Sequence, residues 1–177
     1  MSEQTSQQIR SMVTGEGNIE ISIATVDKPT PSENEVLVKI EASPINPSDL
    51  GLLVSFAADF DSLSVSGSGD ATVAKMKINP ALMGALKGRV GQSMPVGNEG
   101  AGVVVDAGAN AKGLIGKTVG VAGGATYSQY RCLPAASCLV MGEGTSSAEA
   151  ASSFVNPLTA LAFIETMKME NHSALLN

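Results

Sequence analysis

Two short turns gather the side chains best suited to chemistry. In PVGNEGAGVVV (95–105), Glu99 stands between glycines, with Asn98 before it and Gly100 after it, just ahead of a β-branched run. A carboxylate so placed can ligate a metal, take part in catalysis or brace its own turn. In SPINPSDL (43–50), Asn46 lies between two prolines, and Asp49 follows in the first turn of a short helix. The chain carries one histidine, His172, and two cysteines, Cys132 and Cys138, with no CxxC pair. Those counts argue against a thiolate or imidazole metal site. The cysteines read as reduced, partly buried thiols, with a disulfide or a metal as the alternative. His172 reads as a surface group after a helix end.

One segment imitates a phosphate loop. Gly116-Lys117-Thr118 would need a glycine at position 111, where Ala111 stands, and a helix afterwards, where TVGVAGG reads as a strand. No G-x-G-x-x-G fingerprint of a dinucleotide fold occurs.

Around these residues the chain is acidic and weakly aromatic. Eleven Lys+Arg face 17 Asp+Glu for a net charge of -6, with no Trp, two Tyr and four Phe. Such a surface suits neither a nucleic-acid backbone nor base stacking. The polar start MSEQTSQQIR lacks the apolar core of a signal peptide, and no apolar run reaches membrane-spanning length. A soluble, cytoplasmic, reduced protein is expected, with no membrane or nucleic-acid partner. At 177 residues, one full domain and part of a second fit the length.

Periodicity supplies the elements. Residues 9–26 read as strand, glycine turn, strand, and EVLVKIEAS (35–43) is the clearest strand, with Val36, Val38 and Ile40 on one face and Leu37 and Lys39 on the other. Residues 54–94 read as an inserted excursion. SLSVSGSGDATV is expected as loop, and NPALMGALKGRVG as a short helix with Asn79 as N-cap. From Gly97 to Gly124 the reading is strand, turn, strand, and TYSQYRCLP and SCLVM add two more. Many short strands with glycine turns predict a compact, barrel-like, mainly β domain with short helices. Near Gly144 the pattern becomes helical, with a capping-box pair Ser146/Glu149 and then NPLTALAFIETMKME. Asn156 reads as an N-cap before Pro157. SALLN at the end reads as the beginning of a buried strand.

Three stretches, in order, resemble the medium-chain dehydrogenase/reductase superfamily: PTPSENEVLVKIEASPINPSDL, PVGNEGAGVVVDAG and SSFVNPLTALAFIETM. The resemblance implies a GroES-like, partly open β-barrel over residues 1–150, with 54–94 as an insertion. Residues 151–177 would be a linking helix and the first scrap of an absent Rossmann-type nucleotide-binding domain. The zinc-dependent branch places Cys in the turn after EVLVK and His before the glutamate; here Ser43, Pro44, Ile45, Asn46 and Asn98 stand there. The resemblance therefore points to the zinc-independent quinone reductases and enoyl reductases, which use NADPH. NADH is the alternative, since the residues that choose are not in the chain. It implies no metal. It sets Asn46, Asp49, Asn156 and Thr159 along the substrate and cofactor cleft. Asn98, Glu99 and Gly100 become a structural turn, Glu99 bracing it by accepting hydrogen bonds, with a direct catalytic role as the alternative. The Tyr that enoyl reductases carry after NPSD is missing from LGLLVSFAADF, so no proton donor is assigned.

The expected function is thus the N-terminal part of an oxidoreductase delivering hydride to a quinone or an activated C=C. The chain would be truncated relative to its parent and inactive alone, because nicotinamide positioning needs both cleft walls. The other reading is a stand-alone interaction module that uses Leu158, Leu161, Phe163 and Ile164 as an interface. Either way, apolar helix surface predicts a homo-oligomer, a dimer in the simplest case.

Overall fold

A computed structural model of the chain describes residues 4–55 and 58–174. Its elements, in order, are β1 (Thr5–Val13), β2 (Asn18–Asp27), β3 (Glu35–Ala42), α1 (Pro47–Leu53), β4 (Ala58–Ser66), β5 (Val73–Ile78), β6 (Met94–Pro95), β7 (Glu99–Ala107), β8 (Thr118–Ala122), β9 (Tyr130–Pro134), β10 (Leu139–Val140), α2 (Ser147–Ala150) and α3 (Val155–Met169). They build two antiparallel five-stranded sheets, ordered β4-β5-β2-β1-β6 and β10-β8-β7-β3-β9.

The β1–β2 hairpin turns at Thr14–Asn18. The Gly17 amide donates to Thr14 O at 3.1 Å, with Gly17 at φ +78°. In the second sheet, Val36 and Val38 of β3 pack on Val104, Val119, Val121 and Leu133. Leu37, on the other side of the pleat, is also buried, while Lys39 is exposed. The sheets do not close into a barrel among the described residues. They are stitched where β1 meets the segment before β9: Ile9 N donates to Tyr127 O at 2.8 Å and Gln129 N to Gln7 O at 2.9 Å. This mainly β, partly open architecture agrees with the GroES-like expectation.

Residues 54–94 correct two local expectations. Half of the Ser/Gly-rich stretch expected as loop is strand: Ser62–Ser66 belong to β4, and Val73 begins β5. Through β5 the hairpin joins the first sheet, with Asn18 opposite Lys77 and Ser22 opposite Val73. Met76 and Ile78 then share a core with Val13, Ile19 and Leu86. The strand was hidden because its edge position leaves Leu63 and Val65 exposed, so nothing in its composition marks a buried face. The helix expected after Asn79 is instead two single 3₁₀ turns, Pro80–Leu82 and Lys87–Arg89. Asn79 does accept from Ala81 N at 3.0 Å, but Gly84, Gly88 and Gly91 keep the turns from joining.

At the C-terminal end, Ser146 and Glu149 form the capping box of α2, whose Ala150 lies buried with Ala151 against Ala101. Helix α3 follows and buries none of its side chains. The strand expected from SALLN falls mainly on residues 175–177, outside the described residues; Ser173 and Ala174 are not strand. Among the described residues no helix is long and apolar enough to cross a membrane.

Candidate functional site

The site forms where the β3–α1 turn, the start of β7 and the first turn of α3 converge. Asn46 is the N-cap of α1, and Pro47 opens the helix with its φ already set. Asp49, three residues on, reaches back so that its Oδ2 accepts from Asn46 N at 2.7 Å. Its Oδ1 accepts from Asn98 N at 2.9 Å, which ties α1 to the glycine turn before β7. Asn98 also donates through Nδ2 to Ser48 Oγ at 3.0 Å. The turn passes through Gly97 at φ +96°, where a Cβ would stand 2.5 Å from Thr126 Oγ1 and 2.6 Å from Tyr127 N. Gly100 lies buried in β7, pairing with Val121 of β8.

Glu99 is fully buried and has no cationic partner within ion-pair distance among the described residues. Its Oε1 accepts from Asn46 Nδ2 at 2.8 Å. Its Oε2 accepts from the amides of Phe154 at 3.0 Å and Val155 at 2.8 Å. Those amides open α3, whose N-cap Phe154 offers no side-chain acceptor. A carboxylate at a helix N-terminus satisfies orphan N–H groups and complements the helix dipole. Glu99 thus braces α3 and the Asn46 turn, where its own glycine turn was the expected target.

The expected cleft residues part company here. Asn46, Asp49, Asn98, Glu99 and Asn156 form one connected group, Asn156 donating through Nδ2 to Asn46 Oδ1 at 3.4 Å. Asn156 is not the N-cap that its place before Pro157 suggested. The cap falls two residues earlier, because Glu99 satisfies the first amides from outside the helix. Thr159 lies one turn on, exposed, and its hydroxyl donates to Val155 O at 2.7 Å within its own helix.

The segment before β9 supplies residues that the sequence did not point to. Thr126 Oγ1 donates to Glu99 O at 2.8 Å, and Ser43 Oγ donates to Thr126 O at 3.0 Å. Tyr127 sends its hydroxyl to Pro44 O at 2.9 Å. Burial, with the Asp49 carboxylate nearby as the lesser cause, pushes that phenol up to about 12. The only signal for these three was their hydroxyl chemistry; their partners lie 27 to 83 residues away in sequence.

Metal chemistry finds little to use. Among the described residues no three or more His, Cys, Asp or Glu side chains are grouped to hold an ion. Cys132 and Cys138 are free, and burial raises both thiols, which leaves them poor nucleophiles at neutral pH.

No protein-family model and no curated protein matches the chain. Solved structures do. The chain is similar to the Escherichia coli quinone oxidoreductase complexed with NADPH, at 20% identity and a TM-score of 0.61 over 91% of this chain and 41% of that one. It is similar to the quinone oxidoreductase from Coxiella burnetii at 18% identity and a TM-score of 0.63, covering 93% and 45%. A third neighbour is the ER cyclopropanase of the curacin A biosynthetic pathway, at 20% identity and a TM-score of 0.58, covering 92% and 43%. The chain thus has the fold of one part of these proteins and spans less than half the length of each.

Proposed function

We propose that this chain is the catalytic-domain portion of a zinc-independent, NAD(P)H-dependent oxidoreductase of the medium-chain dehydrogenase/reductase type, delivering hydride to a quinone or an activated C=C. The observation that carries the reading is the convergence of Asn46, Asn98–Glu99 and the first turn of α3 in a fold shared with an NADPH-complexed quinone oxidoreductase. Residues 1–150 would form one cleft wall, with 54–94 as an insertion, and 151–177 would lead towards a nucleotide-binding domain. That α3 buries none of its side chains supports this, since an apolar helix of 15 residues needs a partner surface.

The residues present fit the nicotinamide end of such a cofactor. The side chains at this corner, the buried Asn46 and the exposed Asn156 and Thr159, are neutral, and they match a carboxamide and ribose hydroxyls. Two buried carboxylates beside them suit no phosphate, so a diphosphate would be held by the other wall. Bound there, a reduced nicotinamide supplies hydride. Asn46 and Asn156 would orient the ring, while Asp49 keeps the Asn46 and Asn98 backbones from shifting as the cleft fills. Since the turn offers Ser43, Pro44, Ile45 and Asn46 and the glycine turn offers Asn98, a zinc ion would find neither thiolate nor imidazole. Activation then falls to hydrogen-bond donors or to the electron deficiency of the substrate itself. Tyr127 holds its proton on Pro44 O and serves as a brace, which leaves proton delivery to solvent or, for a quinone, to no dedicated group.

The exposed face of α3 is also what an interaction module would present. One pair of measurements separates the readings: the intact mass of the protein made from its native locus, and its NADPH-driven reduction of quinones and enoyl thioesters. The oxidoreductase reading expects a mass roughly twice the 18.0 kDa of this chain, with turnover that residues 1–177 alone lack. A native mass of 18.0 kDa without NADPH-driven reduction would overturn it in favour of the module.

A further inference from the structure

Among the described residues, the hydrogen bonds that tie helix α3 to the body of the protein all lie at its first turn. Its side chains are unburied from Val155 to Met169, and at its first turn two amides end on Glu99 Oε2. The other oxygen of the same carboxylate holds Asn46 Nδ2, and the Asn46 carbonyl oxygen faces Asn156 of α3. An ionised carboxylate can only accept, and a carboxamide has one accepting and one donating end. The pair is therefore matched by parity. Glu99 needs a donor at position 46 and finds one only while the Asn46 amide is turned with Nδ2 inward. That orientation in turn leaves Oδ1 facing α3.

We infer that Glu99 and Asn46 act as a latch that sets the direction of α3 against the α1 turn. Glu99 is a positioning residue, and its partnership with Asn46 depends on one side chain accepting where the other donates. Whatever packs on α3 is thereby placed relative to Asn46. The inference concerns this chain's own residues and stands whether or not the oxidoreductase reading holds.

Amide hydrogen exchange on the 177-residue chain tests it, with Phe154, Val155 and Leu158 as reporters and the β3 and β7 amides as internal controls. Glu99→Gln keeps the size but sets a donating amide against Asn46 Nδ2, and turning the Asn46 carboxamide over to meet it would set Nδ2 against the Asn156 donor. Asn46→Asp sets two carboxylates face to face. Each single variant should speed exchange at Phe154 and Val155 by ~10-fold, as the loss of one hydrogen bond from the turn implies. The double variant Glu99→Gln/Asn46→Asp restores parity, the new amide donating to the new carboxylate while its oxygen accepts from Phe154 and Val155. Aspartate also remains a good N-cap for α1. The double variant should therefore return exchange to within about twofold of the wild type, which a purely steric role for either side chain would not produce. If a single variant also loosens the β3 and β7 controls, the double variant still decides, since recovery of controls and reporters together supports the latch. Unchanged protection in Glu99→Gln, or a double variant no better than the singles, overturns it.

Discussion

At the scale of single residues, the site spends its polar groups on one another. Asp49 and Glu99 are both buried, yet each oxygen accepts from a neutral donor, so neither is left as an uncompensated charge. Tyr127 carries a measurable share. Tyr127→Phe removes the only side-chain donor on Pro44 O among the described residues and should cost about 1 kcal/mol at pH 7, read from denaturant midpoints. Its titration adds a signature at high pH. The folded phenol sits at about 12, above its ordinary value near 10. The unfolded chain therefore releases the proton first, and stability is lost as pH climbs from about 10 through 12. Wild type should show a steeper fall in that window than Tyr127→Phe, and equal slopes would remove Tyr127 from the account.

At the scale of elements, α3 and the hairpin β4–β5 differ in how much each is tied to the core. The hairpin contributes Met76 and Ile78 to the first core, whereas α3 contributes no side chain to either. Ala162→Pro should break α3 locally, a change of about 3 kcal/mol to the helix itself. The unfolding midpoint of the β body should move by less than ~0.5 kcal/mol, since the helix is not part of its packing. Circular dichroism at the helix band against core amide exchange separates the two effects. The same contrast explains what could be read in advance. EVLVK, the GVVV run and the capping box of α2 were legible because strand alternation and capping act over a few residues. β4 was not, because an exposed edge strand owes its existence to a neighbour rather than to its own pattern. The resemblance set Asn46 in the cleft and left Glu99 bracing its own glycine turn, so their meeting, across 53 residues of sequence, is visible only in the structure. Tyr127 and Thr126 had no signal beyond their own hydroxyls, since their partners lie 83 and 27 residues away in sequence.

At the scale of the whole molecule, α3 sets exposed apolar residues on a chain of net charge -6. Leu158, Leu161, Phe163 and Ile164 each stand 42–55% exposed. Without a second domain over them, the chain should self-associate through this face. Sedimentation of the 177-residue chain at rising concentration should show dimers or larger species. Leu161→Glu with Phe163→Glu should return it to monomer with its β body as stable as before. A wild-type chain that stays monomeric at high concentration would assign the face to a different partner.

The stitch between β1 and the Tyr127–Gln129 segment has a consequence for the order of folding. The bonds that make the site join positions 53 residues apart for Asn46 and Glu99, 83 for Ser43 and Thr126, and 55 for Glu99 and Phe154. Each closes a long loop, whose entropy must be lost before the contact returns anything. Hairpins such as β1–β2 can form early and alone, but the α1 turn cannot acquire its final shape until residues past 154 have emerged and both sheets have met. The second sheet itself pairs Glu35 with Pro134, a longer span still, so the site and that sheet must take shape together. A slow refolding phase would be felt in the site and in the second sheet at once, after the β1–β2 hairpin has formed.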